Sequence, residues 1–232
     1  MSWLYLMEEM SELESKQKEA LEALSAGNAV RAIELLRECT VLSENLNGPN
    51  SLDTAQAYFS LALMLFRVDR SDPAQDEVES FASKALSIRI SVKGSIDASV
   101  ALTADFLGSV FMLGHKYNQA EDLYRLSLDN ADRLVGPSHI NTAKAQMNLA
   151  DVLVSQQKNL DEAETLLNQS LETRRRVFGP NSEETVNCLS LLASLHEVKG
   201  ETEKAAQVRS EAQNLHLLID RSSAAPNQQS MK

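Results

Sequence analysis

The residues able to do chemistry are few and scattered. The four histidines stand at 115, 139, 196 and 216, with no His-Glu-x-x-His pair among them. The two cysteines, Cys39 and Cys188, are 149 positions apart and neither belongs to a CxxC pair. Such spacing gives no metal-ligand set and no nucleophile beside its base, so the cysteines read as small buried apolar residues of a reduced compartment. His196 reads as a packing residue, and His139 as a backbone partner in a loop. No Gly-x-Ser-x-Gly, Walker or GxGxxG run is present. The sequence therefore predicts no enzyme, no cofactor and no metal. "RRR" at 174–176 has the chemistry of an anion clamp. Three cations in the last turn of a helix also complement its dipole, and that reading is preferred.

One phrase deserves a closer count: "GPNSLDT" at 48–54, "GPSHINT" at 136–142 and "GPNSEET" at 179–185. One glycine per loop leaves too little backbone freedom to cradle phosphate. The spacing carries the information instead. With "GSIDASV" at 94–100 added, Gly48, Gly94, Gly136 and Gly179 are 46, 42 and 43 apart. A second marker, Ala32, Val78, Ala120, Ala163 and Ala205, steps by 46, 42, 43 and 42. Two markers in step define a repeat.

Each repeat reads as helix, turn, helix. Ala143, Met147, Ala150 and Val154 recur at helical spacing. Gly179 is expected as a left-handed C-cap and Pro180 stops the helix. Asn181 is expected to N-cap the next helix, with Glu184 as its capping-box partner; Asn50 with Asp53 and Ser138 with Asn141 have the same spacing. The repeats are expected at 8–47, 53–94, 97–136, 140–179 and 183–219. The surplus length of the second is assigned to its turn, 67–77. Residues 1–7 form an apolar N-terminal segment, neither signal nor transit peptide because Glu8 and Glu9 follow it. Together with "LHLLI" (215–219) they either cover the ends of the array or dock onto something. Residues 220–232 read as a disordered tail.

"GPSHINTAKAQMNLADVL" resembles the roughly 42-residue tetratricopeptide repeat of kinesin light chains, through Gly136, His139, Ala143, Asn148, Leu149 and Ala150. Leu107, Gly108, Tyr117, Ala120 and Tyr124 fit the general pattern, as do Ala193, Gly200 and Ala205. The resemblance implies an all-α, right-handed superhelical solenoid of about five helix-turn-helix repeats. Ala62, Gly108, Ala150 and Ala193 occupy matching places in the first helices, where a large side chain would force the pair apart. Each repeat then touches only its neighbours.

In that architecture the first helices line a concave groove. Positions six, three and two before the small residue, and one and four after it, face inward. The second repeat gives Gln56, Phe59, Ser60, Leu63 and Phe66, and the third Leu102, Asp105, Phe106, Ser109 and Met112. The fourth gives Lys144, Met147, Asn148, Asp151 and Val154, and the fifth Asn187, Ser190, Leu191, Ser194 and Glu197. An apolar stripe with polar handles suits a peptide or helix of a partner protein, although any one of these residues could equally be core. The carboxylate clamp of chaperone-binding relatives is not expected, because Leu102 and Phe106 stand where basic residues are wanted.

The chain carries 22 Lys+Arg against 33 Asp+Glu, a net −11, which disfavours nucleic acid and anionic membranes. No apolar run approaches the ~20 residues of a membrane span. The expected function is a non-catalytic adaptor or scaffold in the cytoplasm, with organelle import left open. The alternative is a structural subunit of a large complex. Kinesin-type cargo adaptation ranks lower, since the sequence has no long heptad segment.

Overall fold

The computed structural model describes residues 3–68 and 72–224. Among them are ten α-helices and no strand, in two compact units. Unit 1 holds α1 (Trp3–Ser25), α2 (Ala29–Asn47), α3 (Leu52–Val68), α4 (Asp72–Lys93) and α5 (Ala98–Leu113). Unit 2 holds α6 (Tyr117–Val135), α7 (Ile140–Ser155), α8 (Leu160–Phe178), α9 (Glu183–Val198) and α10 (Thr202–Ala224). Within each unit every helix packs against the next one in sequence.

The small-residue columns explain the packing. Ala62, Ala150 and Ala193 of the first helices are 1% exposed or less, and Gly108 is buried as well. Their counterparts in the second helices, Ala32, Val78, Ala120, Ala163 and Ala205, are likewise buried. Side chains this small let two helix backbones approach closely, and a larger one would cost about 1–3 kcal/mol by overpacking. Between the columns Leu35 and Leu61 fill unit 1, and Leu149, Leu153, Leu167, Leu189 and Leu195 fill unit 2, all essentially inaccessible. Truncating any of these leucines to alanine leaves a cavity worth about 2–5 kcal/mol.

The surplus residues of the second repeat do not extend a turn. Helix α3 ends at Val68 and α4 begins at Asp72, so the extra length goes into α4, with 22 residues against 19 in α2, α6 and α8. Continuing a helix satisfies each added backbone group, which a longer loop would leave to solvent. At the chain ends α1 begins at Trp3 and α10 runs to Ala224. The side chains of 1–6 and the segment 225–232 lie outside the described residues, so most of the apolar N-terminal segment and of the expected tail is not placed.

The joints between repeats differ in detail from the sequence expectation. Gly179 has φ 89 and ψ 164. That is an extended backbone of positive φ, essentially restricted to glycine, and not the left-handed helical cap that was expected. The N-caps also sit one residue later than expected. Ser182 Oγ accepts from the Thr185 N–H at 3.2 Å, His139 Nδ1 from the Asn141 N–H at 3.1 Å and Ser51 Oγ from the Thr54 N–H at 3.1 Å. A cap must hold extended φ/ψ while reaching two or three residues forward, and Ser182 (φ −120, ψ 152) and His139 (φ −86, ψ 151) do so.

The threonine that ends each phrase closes the joint. Thr54 donates to the Gly48 carbonyl (2.8 Å), Thr142 to Gly136 (2.7 Å) and Thr185 to Gly179 (3.0 Å). The Gly94 joint has Val100 at that place, and a buried arginine supplies the link. Arg89 donates to the Ser99 carbonyl at 3.2 Å and to the Thr103 hydroxyl. Arg174, two repeats on, reaches the Glu184 carbonyl at 3.4 Å and Ser170 Oγ at 3.1 Å. Its neighbours in the "RRR" run are also struts: Arg175 pairs with Glu211 (2.5 Å) and Arg176 donates to the Ser138 carbonyl.

Candidate partner-binding site

Helices α7 and α9 touch directly, whereas a cleft of about 640 Å3 lies between α1 and α3 in unit 1. Helix α1 contributes Met10, Leu13, Glu14, Gln17, Leu21 and Leu24, and α3 contributes Asp53, Gln56, Ala57, Ser60, Leu63, Met64 and Arg67. Its floor is α2, through Leu36, Cys39, Ser43 and Leu46. Met10 is 56% and Leu21 67% exposed, a large apolar area for two side chains on one helix face. Acidic Glu14 and Asp53 stand on its rim, and Arg67 lies at the far end of α3. Cys39 is buried and free, and burial pushes its thiol up, so it lines the floor as an apolar group.

Of the residues expected in a groove, Gln56 and Leu63 line this cleft, together with Ser60. Gln56 is fixed at both ends: its Oε1 accepts from Arg89 at 2.7 Å and its Nε2 donates to Ser60 Oγ at 3.2 Å. Phe59 does not belong to a binding surface. At 3% exposure it sits in a core cluster with Ala55, Tyr58, Ala85 and Ile88, under the Arg89 guanidinium at 4.6 Å. Its inward position is taken up by packing against Phe106, whose ring meets it edge-on at 5.6 Å. Phe66 meets Phe106 in the same way at 5.3 Å, and both keep a half-exposed edge. Leu102 is 56% exposed, while Asp105, Ser109 and Met112 are half-buried, with Ser109 Oγ donating to the Asp105 carbonyl.

In unit 2, Lys144 and Asn187 are exposed and Met147, Asn148, Asp151 and Leu191 half-buried, while Val154, also expected in the groove, is buried. Burial pushes the Asp151 carboxyl up. Asn187 lines a separate cleft between α9 and α10. Near the unit 1 cleft, the Tyr58 hydroxyl donates to Glu44, and burial with that carboxylate pushes its phenol up to about 12. Burial pushes the Arg89 guanidinium down.

The sequence reading missed the α1 wall. Ala20, 2% exposed, precedes Ala32 by the same twelve residues that separate Gly108 from Ala120 and Ala193 from Ala205. Counting from Ala20 by the inward-facing rule gives Glu14, Gln17, Lys18, Leu21 and Leu24, and all of these but Lys18 line the cleft. Two of the histidines are structural: His139 is an N-cap, and His196, 5% exposed, holds Glu201 at 2.8 Å. Among the described residues no three His, Cys, Asp or Glu side chains are grouped to hold a metal, and no helix is long and apolar enough to cross a membrane.

The tetratricopeptide repeat family model matches residues 142–215. No curated protein matches the sequence. Among solved structures, the chain is similar to the Q17M form of a Podosopora anserina protein of nearly identical, kinesin-light-chain TPR-like repeats. The two are 16% identical with a TM-score of 0.76, covering 91% of this chain and 97% of that one. It is also similar to BtubC (BKLC) from P. vanneervenii, at 18% identity and TM-score 0.73, covering 95% and 93%. The apo form of RapI matches at 13% identity and TM-score 0.73, covering 90% and 72%. These likenesses establish a common fold, and together with the helix pairs and their spacing they make the chain a tetratricopeptide-repeat protein in fold, its repeats similar to the kinesin-light-chain type.

Proposed function

We propose that this chain is a non-catalytic protein-interaction scaffold, and that the α1–α3 cleft of unit 1 holds a peptide or helix of a partner protein. The observation that carries the reading is the cleft itself: about 640 Å3, walled by exposed Met10 and Leu21, with the polar side chain of Gln17 on the α1 wall. Fully covering one such apolar side chain is worth about 1.5–3 kcal/mol, which makes Met10 and Leu21 the candidate anchors of the contact. The fold's likeness to light-chain repeat proteins and RapI supports a scaffold in general terms. It leaves kinesin-type cargo adaptation as a lesser reading. The acidic surface supports protein partners over nucleic acid, and the two buried free cysteines support a cytoplasmic location.

The test is a displayed random-peptide library selected on the protein and re-scored on a Met10→Asp/Leu21→Asp double variant. Both positions are more than half exposed, so the variant is expected to keep its helix content. Peptides enriched on the parent chain should lose binding on the variant, and retained binding would remove the cleft from consideration. A structural subunit is the second reading, supported by Leu217 and Leu218 of α10, each about half exposed. Deleting 215–232 tests it: loss of assembly with peptide capture intact favours that role.

A further inference from the structure

The charges of the α1–α3 cleft have an order along its length. Short connections join α1 to α2 and α2 to α3, so each helix turns back on the one before, and α1 and α3 run the same way. Glu14 and Gln56 each lie six residues before the matching small residues Ala20 and Ala62, which puts them at one level. Asp53 is one turn nearer the helix starts. Arg67 is at the other end, 14 residues beyond Asp53 or about 21 Å along α3. The stretch between is apolar, with Leu13, Leu21, Leu24, Leu63 and Met64 on its walls. Glu14, Asp53 and Arg67 are exposed, and among the described residues none of the three makes an ion pair. Elsewhere on α1 the charges are closed within the chain: Glu12 and Glu38 hold Lys16, Glu22 holds Lys18 and Glu19 holds Arg31. Asp53 and Arg67 complement the dipole of α3 from its first and last turns, but Glu14 is in the middle of α1 and has no such role.

Resting on the reading of this cleft as the partner-binding site, we propose that its occupant is an amphipathic α-helix running antiparallel to α1 and α3, with acidic side chains in its first turn and Lys or Arg in its last. The backbone argues for a helix. Most neutral polar side chains on the walls are already engaged, Gln56 with Arg89 and Ser60, and Ser43 with Thr54 and Asn47. Among the described residues, Gln17 alone of this set has no hydrogen-bond partner. An extended segment laid on such walls would leave buried N–H and C=O groups unpaired, whereas a helix satisfies its own. The charges argue for its direction. A helix is most stable with acids in its first turn and bases in its last, which is the arrangement of α3 itself. Laid antiparallel, such a helix brings its basic end to Glu14 and Asp53 and its acidic end to Arg67. Its apolar face, at i, i+3, i+4 and i+7, then meets Leu21 and Leu63 in the middle of the cleft.

The test is a displayed library of helical peptides of about 16 residues, long enough for the cleft. All share one leucine stripe, and the charged positions of the first and last turns are randomised among Lys, Glu and Gln. Selection is run on the full chain, on Glu14→Lys/Arg67→Glu and on Met10→Asp/Leu21→Asp. The parent should enrich peptides with Glu first and Lys last. A synthetic peptide of that pattern should bind about tenfold more tightly than its charge-reversed counterpart, an advantage that added salt removes. Glu14→Lys/Arg67→Glu, with both side chains exposed and its helix content unchanged, should reverse the preference. No enrichment on the parent, no charge preference, or the same preference on both chains overturns the helix proposal. In each of those cases the cleft reading stands if random-peptide capture is still lost on Met10→Asp/Leu21→Asp. Enrichment that survives Met10→Asp/Leu21→Asp removes the cleft, and this proposal with it.

Discussion

Replacing Gly179 by alanine separates backbone strain from packing at a repeat joint. An added Cβ at Gly179 meets no atom within 4 Å, so nothing steric opposes the substitution. The whole cost is torsional, because φ 89 with ψ 164 is a conformation that residues with a side chain rarely enter. Holding alanine there costs about 1–3 kcal/mol. Alanine's smaller freedom in the unfolded chain returns about 0.4–1 kcal/mol. The net is a loss of about 1–2 kcal/mol, or a fall of about 2–8 °C in the melting temperature at this chain length. Gly114 is the internal control. Its φ is −78, and an added Cβ would lie 3.7 Å from the Phe111 and Val110 carbonyls, an ordinary contact. Gly114→Ala should therefore be neutral or up to about 1 kcal/mol stabilising. Urea and thermal melts followed by circular dichroism read both variants. Equal shifts of the same sign would refute the torsional argument.

The threonine link gives a second prediction. Thr185→Val removes the hydroxyl bonded to the Gly179 carbonyl (3.0 Å) and in contact with Ser182 Oγ (3.0 Å), and should cost about 1–2 kcal/mol in urea melts. Thr185→Ser, which keeps the hydroxyl and drops the methyl, should recover most of that loss, and a larger loss in the serine than in the valine variant would assign the contribution to the methyl group instead. A third concerns alkaline pH. The Tyr58 phenol is held at about 12, above the ~10 of an unfolded tyrosine, so the fold favours its protonated form. The stability this contributes is complete below pH ~10 and is lost as pH rises towards 12. Tyr58→Phe should flatten the stability profile in that window, and an ultraviolet titration of the parent should show one tyrosine ionising late; an unchanged profile would show that Tyr58 carries none of it.

The repeat was legible because its markers are set by sterics alone: a residue buried between two close helices must be small wherever the pair recurs. Details resting on reach and torsion were less so. Ser182, His139 and Ser51 take the cap positions expected of Asn181, Ser138 and Asn50, because the turn after each glycine uses one residue more before the helix begins. Gln56 and Leu63, which the groove rule selected, line the α1–α3 cleft, yet the rule did not distinguish a surface from a seam. Phe59 faces inward and is consumed by Phe106 and Arg89, contacts whose partners lie 47 and 30 residues away. The α1 wall of the cleft escaped notice because no glycine joint precedes it. Only the spacing from Ala20 to Ala32 gives its register.

The latches at the joints also bear on how the chain is made. Each one, whether Thr142 to Gly136 or Arg174 to Glu184, closes between residues six to ten positions apart. The wider struts span no more than about one repeat, Arg37 to Glu77 forty residues and Arg176 to Ser138 thirty-eight. Contacts this local carry a small loop-closure cost and give fast folding. A chain leaving the ribosome can therefore lock each helix pair soon after the first helix of the next pair has emerged. The order of synthesis then becomes an order of assembly, from α1 onward.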